Sequence, residues 1–371
     1  MTILDLFSGI GGFSLALKQV YKKKILHLNS DIDKYANDVY KYHFKESINY
    51  GSVKNIQPKK LPKINIITFG SPCQDFSMCG TRLGLEGKRS SLIIEAIRII
   101  KQCKPDFFIW ENVKGTYSSN NGQDFWAIIK AFTDIGGYRL ELQLLNTKWF
   151  LPQNRERIYL VGLLGKGSGQ QVFPIGKNDI LFNKKIRNKT RETTSKQNRH
   201  TRTISSRIHK MGNDDSYIKV KSNTKKGYEL AKEGDSINYN NPNSKTRRGR
   251  VGKAVSQTLD TAVNQAVIES GTLRTHNDGK GFRKIKSGDS PTIPARARND
   301  GSGQPVIKDQ AVIRRLTPIE CERLQGFPDN WTKYGTKGLI SDTQRYKMCG
   351  NAITVDVAML IFKKILSLKK N

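Results

Sequence analysis

The sequence predicts an α/β protein: an open sheet with its functional loops at one edge, joined to a smaller domain made mostly of β-strands and loops. Three observations predict it. A β-branched run, Ile64-Asn65-Ile66-Ile67-Thr68-Phe69, breaks into Gly70-Ser71-Pro72-Cys73-Gln74-Asp75-Phe76-Ser77. The N-terminus reads as strand, glycine turn and helix in succession. Residues 171–310 then change texture, holding 29 Lys and Arg against 13 Asp and Glu, with few aromatics and many Asn, Ser, Thr and Gly.

The first element, Thr2-Ile3-Leu4-Asp5-Leu6-Phe7, has the makeup of a strand. Ser8-Gly9-Ile10-Gly11-Gly12 is a tight turn, and Phe13 to Val20 is helix-like. Such a unit cradles a nucleotide-bearing cofactor, because glycines let the backbone approach the ligand and the helix N-terminus offers unpaired amides. Ser14 stands where the G-x-G-x-x-G fingerprint has its third glycine, which disfavours a nicotinamide- or flavin-dependent oxidoreductase. A second strand, Ile25 to Leu28, ends in Asn29-Ser30-Asp31. Its carboxylate lies about 20 residues past the turn, where Rossmann-like folds hold ribose hydroxyls.

The run from Ile64 to Phe69 reads as a buried parallel strand opening into a loop at its C-terminal end, where open α/β sheets do their chemistry. Cys73 in that loop is a candidate nucleophile. The plain alternative is a small buried Cys in a Gly/Pro turn, and other segments bear on the choice. Pro105 to Trp110 is another strand, delivering Glu111-Asn112 to the same edge. Gln153-Asn154-Arg155-Glu156-Arg157 leads into Ile158 to Gly162, with two arginines at alternate positions and so on one face if extended. Near the C-terminus Thr317-Pro318-Ile319-Glu320 has the form of a capping box, and Gly326 is placed to stop that helix. A last helix over Val355 to Leu368 is apolar at Val357, Met359, Leu360, Ile361 and Ile365.

Composition points the same way. The 371 residues carry 64 Lys and Arg against 32 Asp and Glu, a formal charge of +32. That twofold excess is the electrostatic footprint of a phosphate-rich partner. Five cysteines at 73, 79, 103, 321 and 349 form no C-x-x-C pair, so neither a zinc site nor a disulfide framework is expected, and a reduced cell interior fits. Met1-Thr2 runs straight into a core strand, so no signal peptide is expected. No apolar run approaches the ~18–20 residues of a membrane span.

Six segments, in order, resemble the motifs of the C5-cytosine DNA methyltransferase family. They are Asp5-Leu6-Phe7-Ser8-Gly9-Ile10-Gly11-Gly12, Gly70-Ser71-Pro72-Cys73-Gln74, Glu111-Asn112-Val113, Gln153-Asn154-Arg155-Glu156-Arg157-Ile158-Tyr159, Arg315-Leu316-Thr317-Pro318-Ile319-Glu320-Cys321-Glu322-Arg323 with Gly326-Phe327-Pro328, and Gly350-Asn351-Ala352. The resemblance covers residues 1 to about 165 and 314 to 356.

It implies a Rossmann-like methyltransferase sheet with helices on both faces, plus a smaller, mostly β/loop target-recognition domain. The implied division is 1–165 for the catalytic and cofactor-binding domain, completed by 341–371, with 166–312 for target recognition. Residues 313–340 are then a hinge and capped helix. The implied reaction is DNA (cytosine-5-)-methylation through a covalent Cys73 intermediate, with Glu111, Arg155 and Arg157 as the other catalytic residues. The two arginines would help populate the thiolate. S-adenosyl-L-methionine is the implied cofactor, bound by Phe7, Gly9, Gly11, Asp31, Ile32, Ser52, Pro72, Leu92 and Asn351, and no metal is required. Two positions depart from the family pattern: Ile32 replaces an aromatic against the adenine, and Gly51-Ser52 replaces a Gly-Asp pair. Gln74, Ser77, Cys79, Thr292 and Arg296 are the expected DNA contacts, and lysines such as Lys225 would bind phosphates.

The expected partner is double-stranded DNA, with a cognate restriction endonuclease as a further candidate. A monomer in a bacterial cytoplasm, encoded by a bacterium or phage and associated with the nucleoid, is expected. Within the recognition interval a faint echo runs through Thr201-Arg202-Thr203-Ile204, Ser256-Gln257-Thr258-Leu259 and Ser290-Pro291-Thr292-Ile293. Gln265-Ala266-Val267-Ile268 and Gln304-Pro305-Val306-Ile307 follow the last two. Transfer-RNA cytosine methyltransferases share much of the motif set but carry a smaller insert. A catalytically idle DNA-binding protein of this fold is disfavoured by the presence of Cys73, Glu111, Arg155 and Arg157 together.

Overall fold

The computed structural model describes residues 1–71, 91–165, 171–176, 218–231, 234–238, 249–259, 261, 265–269, 271–273, 282–284 and 312–368. The chain divides into two compact units, one of Met1–Lys177, Asp260–Ala262 and Thr317–Asn371, the other of Asn178–Leu259 and Val263–Leu316.

The first unit is built on seven strands in the order β3-β2-β1-β4-β5-β8-β6. They are β1 (Thr2–Leu6), β2 (Leu26–Ser30), β3 (Ile48–Asn49), β4 (Ile66–Gly70), β5 (Phe107–Val113), β6 (Tyr138–Asn146) and β8 (Glu156–Leu164); a two-residue strand, β7 (Gln153–Asn154), precedes β8 in sequence. The first five run parallel, and β8 is antiparallel to both of its neighbours. Helices α1 (Gly12–Val20), α2 (Lys34–His43), α3 (Ser91–Cys103) and α4 (Gln123–Thr133) follow β1, β2, β4 and β5 in sequence, as parallel crossovers require. From the C-terminal part of the chain come α5 (Pro318–Leu324), α6 (Asp342–Asn351) and α7 (Val355–Leu368).

Alternation along the strands places helices on both faces of the sheet. Ile3, Ile66, Phe107, Ile109, Tyr159 and Val161 pack with α1, α2 and α7. Leu4, Leu6, Ile67, Phe69, Phe108, Trp110 and Leu160 pack with α3 and α4. Strands buried on both sides read as continuous apolar runs, which is why the sequence shows them so plainly. Each fully buried aliphatic or aromatic side chain contributes about 1.5–3 kcal/mol of transfer free energy. The final helix packs its Val357, Leu360, Ile361 and Ile365 face into the layer that holds α1, and Met359 is partly buried beside it.

The Thr317 capping box forms as its sequence anticipates: Thr317 accepts from the Glu320 amide, Glu320 reaches back to the Thr317 amide, and Pro318 opens the helix. The helix ends at Leu324, and Gly326 follows with φ 80°. Residues 317–340 do more than connect, since Phe327, Trp331 and Ile340 belong to the first unit's core. Their loop is organised by Glu322, which is fully buried. Its carboxylate accepts from the amides of Asn330 (2.6 Å) and Thr332 (2.9 Å), from the Thr332 hydroxyl, and from Arg345 Nη2 (3.1 Å). That set satisfies the buried charge, which alone would be expensive to desolvate.

Among the described residues, the second unit is made of strands of two to five residues. These are β9 (Ile218–Lys221), β10 (Tyr228–Ala231), β11 (Ser236–Asn238), β12 (Val251–Gly252), β13 (Ser256–Gln257), β14 (Gln265–Glu269), β15 (Gly271–Leu273), β16 (Phe282–Lys284) and β17 (Val312–Arg315). β9 pairs with β10, β15 with β16, and a four-stranded sheet runs β12-β11-β14-β17. Glu229 ties β10 to the start of β12 and the end of β9, accepting from the amides of Gly249 and Val251 (both 2.9 Å) and from the Ser222 hydroxyl (3.1 Å). Those donors hold its carboxyl below the usual carboxylate range, against the opposing effect of burial. Of the echoed segments, Ser256-Gln257 and Gln265–Ile268 are strands; the others lie outside the described residues. Cys103, Cys321 and Cys349 are not joined in disulfides. No helix among the described residues is long and apolar enough to cross a membrane.

Candidate active site

Because β1 to β5 are parallel, their C-terminal ends share one edge, and the antiparallel β8 brings its beginning there as well. Phe7 to Gly11, Asp31, Gly51-Ser52, Ser71, Glu111-Asn112 and Arg155 to Arg157 therefore come to the same side of the sheet. β1, whose neighbours β2 and β4 lead off in opposite directions, is the switch point where open sheets form a crevice.

The glycine loop is held in a shape few residues adopt. Phe7, Gly9 and Gly11 have φ of 51°, 50° and 82°. Phe7 is costly there and stays only because its surroundings fix it. A Cβ on Gly11 would stand 2.8 Å from the Phe44 ring and 3.0 Å from Tyr40, so α2 could not lie so close against any other residue. Asp31 ties the end of β2 to this loop: its Oδ2 accepts from the Gly9 amide and its Oδ1 from the Asp33 amide, each at 2.8 Å. Burial pushes the Asp31 carboxyl up, while those two amides pull it down. Ile32 projects into solvent at 82% exposure, a large apolar side chain left open beside that carboxylate. Ser52 caps a short 3-10 turn, accepting from the Lys54 amide at 3.4 Å, and Ser30 fixes the adjoining backbone by donating to the Gly51 carbonyl at 2.6 Å. Leu92, in the first turn of α3, is partly buried against the core, and Asn351 is exposed at the end of α6.

The second half of the site sits where β4 ends. Ser71 is buried, and its hydroxyl accepts from Trp110 Nε1 and Asn112 Nδ2, both at 3.1 Å. Two residues of β5 thus fix Ser71 just past the end of β4. Glu111 lies in register with Gly70, and its Oε2 would be 3.0 Å from a Cβ there, so the glycine makes room for the carboxylate. Arg157 holds the other oxygen, with Nε 3.1 Å from Oε1 and both side chains largely buried. Its Nη1 donates to the Glu156 carbonyl at 2.8 Å. Arg155, also buried, donates to the Ala352 carbonyl at 2.8 Å. The alternating arginines thus have separate partners, one bound to the candidate acid and one to the segment beside Asn351.

Pro72, Cys73, Gln74, Ser77, Cys79, Thr292 and Arg296 lie outside the described residues. Glu111 and Asn112 fall within β5, which runs to Val113, rather than in a loop past its end.

Sequence reasoning left out three groups that shape this edge. Ser71 stood in the Gly70-to-Gln74 segment with no role of its own. Trp331, far away in sequence, donates its indole N–H to the Ile10 carbonyl at 3.0 Å and stacks on His43 at 3.5 Å with the rings 3° apart. Asp5 is buried between β1 and α1, accepting from the Thr68 hydroxyl at 2.8 Å, with Ser14 Oγ at 3.3 Å and Tyr40 Oη 2.7 Å beyond Ser14. Desolvation drives the Asp5 carboxyl up to about 8 and, with Asp5 nearby, raises the Tyr40 phenol. In the sequence Asp5 shows as a charged residue inside an apolar strand and as the first residue of a motif segment, with no role assigned to it.

The family model for C-5 cytosine-specific DNA methylases matches residues 1–367. The chain belongs to that family. It is 30% identical to the orphan methyltransferase M.SPRI of Bacillus phage SPR, over 99% of this chain and 97% of the phage protein. It is also 30% identical to the type II methyltransferase M1.ScrFI of Lactococcus lactis subsp. cremoris, over 98% of this chain and 77% of that one. Among solved structures, the Entamoeba histolytica methyltransferase EhMeth superposes with a TM-score of 0.56 at 17% identity, covering 100% of this chain and 99% of that one. The S. pombe Dnmt2 methyltransferase gives 0.53 at 17%, covering 99% of each chain. At that identity the structural likeness speaks for the α/β fold alone.

Proposed function

We propose that this methylase transfers a methyl group from S-adenosyl-L-methionine to carbon 5 of a flipped-out cytosine in a specific duplex DNA site, with Cys73 as covalent nucleophile. The observation that carries the reading is the carboxylate of Glu111, laid across Gly70 three residues before Cys73 and gripped by Arg157. Carbon 5 of cytosine is a poor nucleophile, and addition of a thiolate at carbon 6 makes the ring an enamine that is reactive there. Glu111 would face ring nitrogen 3 and the exocyclic amine and stabilise charge as the thiolate adds. Arg157 keeps that carboxylate in place. Positive charge from Arg155 and Arg157 would favour the Cys73 thiolate over the thiol, whose ordinary pKa is about 8.5. Thiol attack from above the ring plane requires the base to leave the stack, at a cost of a few kcal/mol that phosphate contacts offset.

The cofactor supplies the activated methyl group, and the residues present fit it. Phe7, Gly9 and Gly11 would form the cradle, and Asp31, held by the Gly9 and Asp33 amides, would accept from ribose hydroxyls. Ile32 offers an exposed apolar surface for a base, and Pro72, Leu92 and Asn351 would complete the pocket. Ser52, already engaged as a cap, gives the base a weaker partner than a carboxylate would. The interval 166–312 would read the DNA through Thr292 and Arg296, assisted by Gln74, Ser77 and Cys79. The named relatives suit a phage or restriction-modification setting, with a monomer acting on DNA in a bacterial cytoplasm and a restriction endonuclease as its companion.

Cys73→Ser tests the reading. Methyl transfer to duplex DNA should be abolished with duplex binding retained, and a duplex bearing 5-fluorocytosine should trap the wild type in a denaturation-resistant adduct, since fluorine does not leave as a proton does. Substantial turnover by the serine variant, or methylation of transfer RNA in preference to duplex DNA, would sink the proposal.

A further inference from the structure

The first unit segregates its charge. At the edge of the sheet opposite the candidate site the strands begin, and three loops enter it side by side: residues 21–25 before β2, 61–65 before β4 and 104–106 before β5. They are laced together across the strand ends. Leu26 donates to the Met1 carbonyl (2.9 Å), Asn65 to Thr2 (3.0 Å) and Phe107 to Asn65 (3.3 Å). The Asn65 side chain accepts from the Thr2 amide at 2.9 Å and donates to Asp106 at 3.0 Å. From β2 to β5 this rim spans three inter-strand steps, about 14 Å.

Lys22, Lys23, Lys24, Lys63, Lys104 and, from the last turn of α3, Lys101 are all exposed along it. Among the described residues none of these six enters an ion pair, and the one acid of the three loops, Asp106, is already bound by Asn65. The candidate edge is the reverse, with its charges interleaved and paired as Arg157–Glu111, Lys114–Glu156 and Lys347–Asp33. Like charges crowded on one rim repel one another, and a polyanion relieves that repulsion while releasing its own counterions.

We propose that this lysine rim binds the phosphate backbone of a second segment of duplex DNA, separate from the one presented to the candidate active site. The proposal rests on the reading that duplex DNA is the substrate, which puts a long polyanion within reach of the rim. A single DNA strand rises about 3.4 Å per phosphate, so a 14 Å rim faces roughly four of them. Lysines on flexible stems act there as point charges that hold the backbone without reading sequence. Holding two segments at once lets the protein pass between distant parts of one DNA molecule without full release.

The test uses the full chain and the variant Lys22→Gln, Lys23→Gln, Lys24→Gln, Lys63→Gln, Lys104→Gln. Protein is loaded on an immobilised short duplex and offered a fluorescent second duplex of unrelated sequence at low salt. The wild type should capture it and the variant at least tenfold less, with the slope of log affinity against log salt falling by about 0.9 for each phosphate the variant no longer neutralises. Single-turnover methylation of a short one-site duplex should be the same for both proteins. Equal capture by the two, or none by the wild type, would overturn the rim, as would binding to anionic lipid vesicles with no capture of DNA. Reduced capture in the variant, by a protein that methylates no duplex, would support the rim and refute the reading of function instead.

Discussion

Replacing Trp331 with Phe isolates one bond between the C-terminal part of the first unit and its glycine loop. The indole N–H donates to the Ile10 carbonyl at 3.0 Å in a buried setting, while the ring stacks on His43 and the Trp331 carbonyl lies 2.7 Å from His43 Nε2. Phenylalanine keeps an aromatic face for His43 but has no donor. The Ile10 carbonyl then loses this partner while still buried, at a cost of roughly 1–3 kcal/mol. Ile10 lies between Gly9, which donates to Asp31, and Gly11, so slackening it should loosen the cofactor cradle. We expect urea unfolding to register that loss, and KM for S-adenosylmethionine to rise by up to about tenfold for each 1.4 kcal/mol transmitted to the loop. The value of kcat at saturating cofactor should change little. Trp331→Leu, which also abolishes the stack, should cost more than Trp331→Phe. Unchanged stability together with an unchanged KM in Trp331→Phe would refute the idea that this bond shapes the loop.

Three more expectations follow from the same geometry. Asp5 holds a proton in the folded protein up to about pH 8, whereas an unfolded chain releases it near the ordinary 3.8. Between those values the folded state binds the extra proton, so stability falls as pH rises, by up to about 1.4 kcal/mol per unit from this group. Asp5→Asn, which can accept from Thr68 and donate to Ser14, should flatten that part of the curve; urea midpoints from pH 4 to 8 measure it, and an unchanged slope would refute the assignment. Arg157→Ala leaves the Glu111 carboxylate largely buried without its cation, so single-turnover methylation should drop by about 10²–10⁴, the usual worth of a positioned acid or base; a loss under threefold would remove Arg157 from the mechanism. Exchanging residues 166–312 for those of a relative should move the methylated site to the relative's, read by methylation-sensitive sequencing, with Lys225→Ala weakening binding to all sequences alike. A working chimera that kept the original site would put recognition elsewhere.

Much of the sheet was legible because its strands are buried on both faces and therefore written as unbroken apolar runs. Ile64 to Phe69 and Pro105 to Trp110 gave β4 and β5 to within a few residues. Capping chemistry is equally local, and the Thr317 box and Gly326 stop formed where the residues placed them. The glycine turn and the Asp31 carboxylate at the end of β2 were legible for the same reason, since spacing along a strand-turn-helix unit fixes what it can hold.

The set of chemical groups, and the element that carries each, can thus be read along the chain, because periodicity, turn residues and caps act over a few positions. Which groups meet is a matter of the folded interior. There β8 runs antiparallel so that Arg157 meets Glu111, Arg155 reaches the Ala352 carbonyl, and Phe327, Trp331 and Ile340 enter the core, where Trp331 supports Ile10. Those pairings join residues up to 321 positions apart, and no local rule reaches so far. They are selected when buried donors and acceptors must find partners within one packed interior.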